Sequence, residues 1–444
     1  MSTSTPTPEW VDHAIWWQVY PLGFVGAEKQ AEEPPTVHHR LPGPSWLDYA
    51  VNLGCNGLAL GPVFASQTHG YDTVDFFTID PRLGDDRDFD RLVEAARERG
   101  IRILLDGVFN HVGRAHPRFV DAMEQGPGSD AAAWFHLREE HGTVTARNFE
   151  GHDQLVTLNH SHPAVRDHVV EVMCHWLERG ADGWRLDAAY AVPPDFWRAV
   201  LPRVRERYPD AWFVGEVIHG DYVSYLQEST LNSVTQYELW KAIWSSLNDR
   251  NLYELDWTLR RHSDFLRQFL PMTFVGNHDV TRLASTLKDP GHLPHAYALL
   301  FFLGGTPSVY YGDEQAFTGV KEERFGGDDA IRPAFPEGPE NLAVEGWPTY
   351  HLHQRLIALR RRHSWLARAT TEVVHLANEQ LALASSSPDG STRLVLLLNL
   401  ASEEATLPIE VAEVLEQSDG GRAEHGVVAP YGWAVGSMDP SARS

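Results

Sequence analysis

Four short segments of the sequence combine carboxylates with arginine or histidine. They are DGVFNH with Asp106 and His111, RLD with Arg185 and Asp187, GEV with Glu216, and NHD with His278 and Asp279. A single aspartate after a strand is usually a turn or helix cap. A cap would not need the arginine that stands two residues before Asp187. It would also not need the histidine that follows asparagine in both DGVFNH and NHD. We therefore interpret the four segments as parts of one site.

The residue types in these segments favour hydrolysis of a glycosidic bond. The sequence has no GxSxG nucleophile elbow and no CxxC metal set. Several carboxylates in one cleft can cut a glycoside, with one acid as nucleophile and another as proton donor. Arg185 would keep Asp187 ionised for attack, whereas Glu216 would need burial and neighbouring anions to keep its proton. Asp279 would then stabilise the positive charge of the sugar ring in the transition state.

Sugar recognition can be assigned to side chains near the same segments. The imidazoles of His111 and His278 can donate hydrogen bonds to sugar hydroxyls. Aromatic rings that could stack on a sugar face are those of Trp16, Tyr71, Phe109 and Tyr190. A metal site is the rival explanation for clustered acids and histidines. The sequence has no His-x-Glu, His-x-x-x-His or Asp-x-Asp-x-Asp-Gly pattern, so we assign no metal ligands.

The elements that must position these residues are short apolar runs, rich in β-branched and aromatic side chains, that suit strands buried on both faces. There are eight such runs, at 14–24, 56–64, 101–111, 181–189, 212–218, 232–239, 272–279 and 306–314. Stretches with helical periodicity lie between most of them, for example 85–100, 162–180 and 195–208, where Pro202 predicts a kink or break.

Alternation of strand and helix eight times predicts the α/β class and a (β/α)8 TIM barrel. An open doubly wound sheet is the competing fold, but no glycine-rich phosphate loop follows any of the strands. Active sites of TIM barrels lie at the carboxyl ends of the strands. The four acidic segments come at the ends of predicted strands three, four, five and seven, so we expect them at one rim.

Two regions depart from this alternation. Residues 112–161 are too long for a simple connection, and we predict a small domain inserted after strand three. Beyond residue 371, short strands are broken by the turn signal SSPDGST. The predicted organisation is a catalytic barrel at 1–111 and 162–371, the inserted domain at 112–161, and a C-terminal antiparallel β-domain, a β-sandwich, at 372–444.

Composition excludes several classes of partner. The 444 residues include 37 Lys and Arg against 61 Asp and Glu, so the formal net charge is −24. That field repels nucleic acids and anionic membranes, but a neutral substrate is unaffected. No apolar run is long enough to span a membrane. Cys55 and Cys174 lie in apolar stretches that predict buried thiols, and the N-terminus lacks the pattern of a signal peptide. We therefore expect a cytoplasmic protein.

The same motifs resemble those of the α-amylase family of glycoside hydrolases, family 13, over about residues 14–430. Supporting matches are GLALGPVF at 57–64, LVTLNHSHPAV at 155–165 and GGTPSVYYGDE at 304–314. The resemblance implies a retaining α-glycosidase. By position it makes Asp187 the nucleophile, Glu216 the acid/base and Asp279 the acid that stabilises the transition state. It also implies subsite contacts from Tyr71, His111, Arg185 and His278, and a structural carboxylate at Asp106.

The sequence is most similar in motif to the group of neopullulanases, cyclomaltodextrinases and maltogenic amylases. GWRLDAAYAVPPDFW at 183–197 resembles their second motif, and GGDDAIRPAF at 326–335 resembles their strand-eight loop. In that loop, Asp328 and Arg332 match residues that hold the next sugar, although a salt-bridged loop explains them equally well. Those enzymes usually carry an N-terminal β-domain that helps form a dimer, whereas here the barrel begins almost at once. We therefore leave monomer and homodimer open.

No cofactor is required by this interpretation. Thr157 stands in LVTLN where many α-amylases have an aspartate that binds calcium, and the loop after strand one lacks alternating acids and glycines. Asn110 occupies a position that contacts calcium in some relatives, so a structural calcium ion stays open.

The expected function is hydrolysis of α-1,4 bonds, and of α-1,6 bonds as a further case, in short linear or cyclic gluco-oligosaccharides. Three alternatives remain at this point. A transglycosylase would use the same residues, as would an exo-acting α-glucosidase or a trehalose-processing enzyme. A non-catalytic sugar-binding protein on the same fold is the third, and the complete set of acids argues against it.

Overall fold

Eight parallel strands form the centre of the molecule. The structure is a computed structural model that describes residues 5–141, 143–324 and 326–439. The strands are Trp16–Val19, Gly57–Leu60, Arg102–Gly107, Gly183–Leu186, Trp212–Gly215, Ser233–Val234, Met272–Phe274 and Thr306–Tyr310. Each pairs with its neighbour in chain order, and the first also pairs with the eighth. Thr235 pairs with Met272 between strands six and seven, which closes the ring.

All eight strands coincide with the predicted runs, so the predicted (β/α)8 barrel is confirmed. The α-helices in chain order are Pro21–Phe24, Pro44–Leu53, Asp86–Glu98, Pro117–Gln125, Pro163–Glu178, Pro194–Arg207, Tyr222–Ser229, Tyr237–Asp249, Tyr253–Leu266, Leu283–Thr286, Leu293–Phe302 and Trp347–Arg362. The opening at the carboxyl ends of the barrel strands is termed the mouth below.

Local sequence explains where the helices begin. The helix Asp86–Glu98 has a capping box, because the Asp85 side chain accepts from the N–H groups of Arg87 and Asp88 and the Asp88 side chain accepts from the N–H of Asp85. Five of the other helices begin with proline at their first position, where the missing N–H has no intrahelical partner to lose.

The predicted break at Pro202 is wrong, because the helix Pro194–Arg207 continues through it. Proline removes one backbone hydrogen bond from the helix interior. The apolar face of this helix is buried on both sides of Pro202, through Trp197, Val200 and Val204. Packing of that face against the barrel holds the chain helical where local preference would end it.

Two helices follow strand six and pack against each other in antiparallel fashion. They are Tyr237–Asp249 and Tyr253–Leu266. Lys241 forms an ion pair with Glu254 across them, and Arg261 Nε lies 2.7 Å from Glu238 Oε2. The helix pair lies directly beside the mouth, because Tyr237 comes three residues after the end of strand six.

The segment after strand three forms a layer over one side of the mouth. Its strands His111–Gly113, Asn148–Phe149 and His152–Thr157 make a small sheet, and Leu137–Glu140 pairs with Thr143–Ala146. Phe149 stacks on the ring of His111 with a centroid distance of 4.9 Å. Glu150 accepts a hydrogen bond of 2.8 Å from the hydroxyl of Tyr190.

The C-terminal region is a five-stranded antiparallel sheet. Its strands in spatial order are Thr371–Leu376, Gln380–Ser386, Arg393–Asn399, Trp433–Met438 and Glu413–Gln417. One face, which includes Leu383 and Leu396, joins the main core around the barrel. The other face, which includes Leu397, packs under the two-stranded ribbon Ala405–Thr406 and Val427–Val428. The second layer over the sheet is therefore this ribbon.

The amino ends of the strands enclose a separate aromatic cluster. Trp16 stacks on Trp212 with a centroid distance of 5.5 Å and an interplanar angle of 5°, and Trp10 packs edge-on against both. Trp16 is the first residue of the first strand, so it lies at the opposite end from the mouth. The expectation that Trp16 stacks on a sugar is therefore wrong.

Both cysteines are free and buried, as predicted. Within the parts of the chain that the structure describes, none of the helices has the length and apolar character needed to cross a membrane.

Candidate active site

Arg185 gathers three carboxylates at the mouth. Its Nη1 donates to Asp106 Oδ2 at 2.6 Å and to Asp187 Oδ1 at 3.2 Å. Its Nη2 lies 2.8 Å from Glu216 Oε1. The acids come from neighbouring strands three, four and five, whose register places Arg185 beside Asp106. All four side chains are buried.

Asp279 joins the same group through Tyr71 and His278. His278 Nε2 lies 3.0 Å from Asp279 Oδ2 and also contacts the Tyr71 hydroxyl. That hydroxyl donates to Asp106 Oδ2 at 3.2 Å. The structure therefore brings Asp187, Glu216 and Asp279 together at one mouth, from strands four, five and seven.

The carboxyl of Glu216 is held on both oxygens. Oε2 accepts from the backbone N–H of Ala188 at 2.9 Å, and Oε1 accepts from the hydroxyl of Tyr237 at 3.1 Å. Ala188 has φ of +43°, the left-handed region that costs energy for a residue with a Cβ. Because Ala188 directly follows Asp187, this turn keeps the carboxyls of Asp187 and Glu216 as neighbours.

The expectation that Arg185 keeps Asp187 ionised is not met by the structure. Burial and the neighbouring Glu216 carboxylate raise the pKa of Asp187 well above its ordinary value, and the charge of Arg185 does not offset them. The geometry explains this, because Arg185 approaches Asp106 and Glu216 more closely than it approaches Asp187. One guanidinium has to serve three acids.

Asp279 has the opposite electrostatic environment. Burial raises its pKa, but the contacts with His278 and with the Arg332 guanidinium outweigh burial and hold the pKa well below its ordinary value. Arg332 Nη2 donates to Asp279 Oδ1 at 2.8 Å and lies 3.0 Å from Asp328 Oδ2. Arg332 and Asp328 thus pair as their spacing suggested. Arg332 also bonds Asp279 directly, so it acts on an acid of the site.

His111 occupies the site, but its N–H is already in use. Nε2 donates to the backbone oxygen of Tyr71 at 3.0 Å, and Nδ1 accepts from the side-chain amide of Asn110 at 3.0 Å. Burial lowers the pKa of His111 to about 4, so the ring stays neutral and has a single N–H. The expectation that this N–H donates to a sugar hydroxyl does not hold in this arrangement. His111 instead positions Tyr71.

The predicted aromatic platforms separate into two groups. Tyr71 lies in the site with its ring parallel to that of His278, at a centroid distance of 5.4 Å, and Tyr190 lies at the edge of the mouth, partly exposed. Phe109 is fully buried between Phe76 and Trp184. Phe109 is therefore a core residue and cannot stack on a ligand.

Four residues of the site were not predicted. They are Gln18, Tyr20, Tyr237 and Lys321. Gln18 donates to His278 Nδ1 at 3.3 Å, and Lys321 donates to the backbone oxygen of Asp279 at 3.0 Å. Arg332 stacks over the ring of Tyr20 at 4.7 Å. Gln18, Tyr20 and Tyr237 lie at or just beyond the ends of the observed strands Trp16–Val19 and Ser233–Val234 but inside the longer predicted runs 14–24 and 232–239, so the strand-end rule did not identify them.

Metal-binding geometry is limited within the described residues to His39, Asp85 and Asp88. Asp85 and Asp88 form the capping box of the helix Asp86–Glu98, and Asp88 already contacts His39 and Arg91. At the mouth, the positive charge among the acids is supplied by Arg185 and Arg332. The side chains there are arranged for acid–base chemistry on an uncharged ligand.

A (β/α)8 barrel that gathers several acids around one arginine at its carboxyl rim defines a class of protein, the barrel glycoside hydrolases. Comparison with known families agrees. The family model described as "Alpha amylase, catalytic domain" matches residues 44–345. This chain belongs to the α-amylase family of glycoside hydrolases, as its motifs predicted, and it is a glycosidase of that family.

Similar proteins include several that act on oligosaccharides. The cyclomaltodextrinase of Geobacillus thermopakistaniensis is 31% identical over 430 residues, which cover 91% of this chain and 71% of the relative. Neopullulanase 2 of Thermoactinomyces vulgaris is 30% identical over 436 residues, covering 92% and 72%. The ligand-free structure of the cyclic α-maltosyl-(1→6)-maltose hydrolase from Arthrobacter globiformis matches with a TM-score of 0.81 at 28% identity, covering 98% of this chain and all of that one.

Proposed function

We propose that the protein hydrolyses short linear or cyclic gluco-oligosaccharides, at α-1,4 bonds and also at α-1,6 bonds. The observation that carries this proposal is the contact of Arg185 with both Asp187 and Glu216, with Asp279 linked to them through His278 and Tyr71. Relatives named cyclomaltodextrinase and cyclic α-maltosyl-(1→6)-maltose hydrolase support the choice of cyclic substrates.

The first step of the proposed mechanism forms a covalent intermediate. A carboxylate oxygen of Asp187 attacks the anomeric carbon, the bond from that carbon to the leaving oxygen breaks, and Glu216 gives its proton to that oxygen. Asp279 has a low pKa and therefore stays ionised, so it can stabilise the positive charge that develops on the ring. Tyr237 and the N–H of Ala188 hold Glu216 in position for the transfer.

The second step reverses the roles. Glu216 takes a proton from water, the water oxygen attacks the anomeric carbon, and the bond to Asp187 breaks. Two inversions leave the α configuration unchanged, and the geometry of such enzymes places the two carboxyls about 5–5.5 Å apart. The mechanism needs one proton on the Asp187–Glu216 pair. Burial and the neighbouring Glu216 carboxyl raise the pKa of Asp187 well above its ordinary value, which keeps a proton available within the pair.

A substrate panel tests this function. Maltotriose, panose, pullulan, soluble starch and cyclic glucans are incubated with the protein, and products are identified by linkage and by anomer. We expect release of maltose or glucose from the short and cyclic substrates, with the α anomer appearing first. Sugar binding without product would support a binding protein and contradict the proposal. Products longer than the substrate would identify transglycosylation at the same site.

We further propose that the enzyme needs no metal ion. Dialysis against EDTA is expected to leave kcat and the thermal unfolding midpoint unchanged, since the acids at the mouth contact Arg185, Tyr71 and His278, and Thr157 stands where many α-amylases have an acid that binds calcium. Differential scanning calorimetry with and without added Ca²⁺ measures this. A lower midpoint after EDTA that Ca²⁺ restores would refute the proposal and reveal a structural ion.

The proposed compartment is the cytoplasm. Two buried cysteines that form no disulfide suit a reducing environment. Imported maltodextrins or cyclic glucans would be available there. No nucleic-acid or membrane partner is proposed, since the net charge of −24 repels both polyanions and anionic lipids. Sedimentation analysis distinguishes the two open states, monomer and homodimer.

A further inference from the structure

A groove lies beside the mouth, between the helices Tyr237–Asp249 and Tyr253–Leu266. Its free volume is about 850 Å³, within the range of ligand-binding sites. Among its lining residues are Ile218, Asp221, Trp240, Lys241, Trp257 and Arg261. None of these side chains has a role in the mechanism above.

The groove displays a large exposed aromatic side chain. The side chain of Trp257 is 68% exposed and that of Ile218 is 42% exposed. Seven other tryptophans are almost completely buried. An indole with this much exposed surface contributes little buried apolar area to the stability of the fold. Exposed apolar patches beside a cleft usually mark a binding surface.

Tyr237 connects the groove to the acid of the site. Tyr237 lines the groove, and its hydroxyl donates to Glu216 Oε1 at 3.1 Å. Ile218 follows Glu216 by two residues. In the proposed mechanism Glu216 protonates the leaving oxygen, so the groove extends from the side that holds the leaving part of the substrate.

Two ion pairs neutralise most of the charge in the groove, and the Asp221 carboxylate there accepts hydrogen bonds from the backbone N–H and hydroxyl of Ser224. Lys241 pairs with Glu254 and Arg261 pairs with Glu238, and all four side chains keep part of their surface exposed. A charged polymer would have to compete with these pairs. A neutral ligand with many hydroxyls can instead bond to their free lone pairs and N–H groups while its apolar face covers an indole.

We propose that this groove binds the leaving-group end of longer α-gluco-oligosaccharides, with a sugar ring stacked on Trp257. This inference rests on the proposed function, because it assigns the groove to the leaving side of the same substrate. A chain long enough to span both sites gains affinity from the second contact. The enzyme therefore favours longer chains over short ones.

The test compares Trp257→Ala with Tyr253→Ala. Tyr253 is 52% exposed and lies one turn earlier on the same helix, but it does not line the groove. We expect Trp257→Ala to lower the ratio of kcat/KM for maltoheptaose to kcat/KM for maltotriose about tenfold, mainly through KM, as the loss of a stacking contact predicts. Tyr253→Ala should keep the wild-type ratio, and Trp257→Phe should restore part of it.

Other outcomes overturn the inference. An unchanged ratio in Trp257→Ala, with hydrolysis otherwise normal, would remove the groove from substrate binding and leave the proposed function intact. A change of oligomeric state in sedimentation, with both substrates affected equally, would mean that Trp257 contacts a second copy. If the wild type hydrolyses neither glucan, the proposed function fails. In that case, calorimetric titration with maltoheptaose tests whether the groove binds the glucan. Equal affinity in the wild type and in Trp257→Ala would refute the inference.

Discussion

Replacing Asp187 by asparagine is expected to lower kcat by about 10⁴-fold or more on every substrate that the wild type hydrolyses. Asparagine matches the shape of aspartate, but its amide cannot form the glycosyl ester. Burial and Glu216 raise the pKa of Asp187, so the site holds this acid under repulsion. Removing one acid relieves that repulsion, and the thermal unfolding midpoint should stay equal or rise. Reducing-end assays and calorimetry measure the two effects.

Asp182→Asn provides the matched control. Asp182 precedes strand four at the opposite end of the barrel, where its carboxylate accepts from the N–H of Ile103 at 2.8 Å and pairs with Arg102. This variant should lower the unfolding midpoint and leave kcat near the wild-type value, the reverse of the pattern in Asp187→Asn. If Asp187→Asn kept more than about a tenth of the wild-type kcat, its role as nucleophile would be wrong.

The acids were predictable because a strand end is a local feature. A buried strand of a barrel must be apolar, so the first carboxylate after it marks the point where the chain reaches the mouth. Asp187, Glu216 and Asp279 follow this rule, and Asp106 is the penultimate residue of its strand. Parallel strands in a closed ring share one direction, and the rule therefore brings acids together that are up to 173 residues apart in sequence.

The partners of each side chain were not predictable in the same way. His111 bonds the backbone of Tyr71, which comes from the loop after strand two, 40 residues away. That contact depends on the path of two loops. Arg185 is two residues from Asp187 in sequence but lies closer to Asp106, because strand register sets which side chains are neighbours. The spacing of two residues in the sequence can therefore identify a candidate ion pair, but it does not show how close the two charges are.

Aromatic residues show a similar limit. Trp16, Tyr71 and Phe109 all lie in or beside predicted strands and looked equally suited to stack on a sugar. Trp16 proves to be at the amino end of its strand, and Phe109 points into the core. The barrel strands are so short that an error of a few residues in a predicted boundary moves a residue from one end of the strand to the other. An error of one residue moves its side chain to the opposite face of the sheet.

Lowering the pH from 7 to 5.5 is expected to reduce the thermal unfolding midpoint by a few degrees. Burial lowers the pKa of six histidines to about 4, namely His111, His116, His160, His262, His295 and His353. The unfolded chain binds protons at these side chains below about pH 6.5, whereas the folded chain does not until about pH 4. The free energy of unfolding is therefore unaffected by these histidines well above pH 6.5 and decreases as the pH falls towards 4.

Between pH 6.5 and pH 4, each of these histidines lowers the free energy of unfolding by about 1.4 kcal/mol per pH unit. The six together lower it by about 8 kcal/mol at pH 5.5. Glu314 acts in the opposite direction. Burial raises its pKa to about 7, so its destabilising effect diminishes as the pH falls. Glu314 regains less than about 2 kcal/mol over the same range. Asp106, Asp187 and Asp313 are also buried with raised pKa values and act in the same direction, so the net loss of stability is smaller than the histidines alone would cause.

His353 allows a direct check of this balance. Its Nδ1 bonds the backbone oxygen of Thr349 at 2.9 Å, and its Nε2 is buried with no hydrogen-bond partner among the described residues. A proton at Nε2 would place an unpaired charge between the rings of Tyr297 and Phe301. His353→Phe should therefore flatten the dependence of the midpoint on pH by about one proton, whereas His425→Gln, at an exposed position, should not. A midpoint that stayed constant from pH 7 to 5.5 would show that these buried rings are protonated in the folded protein.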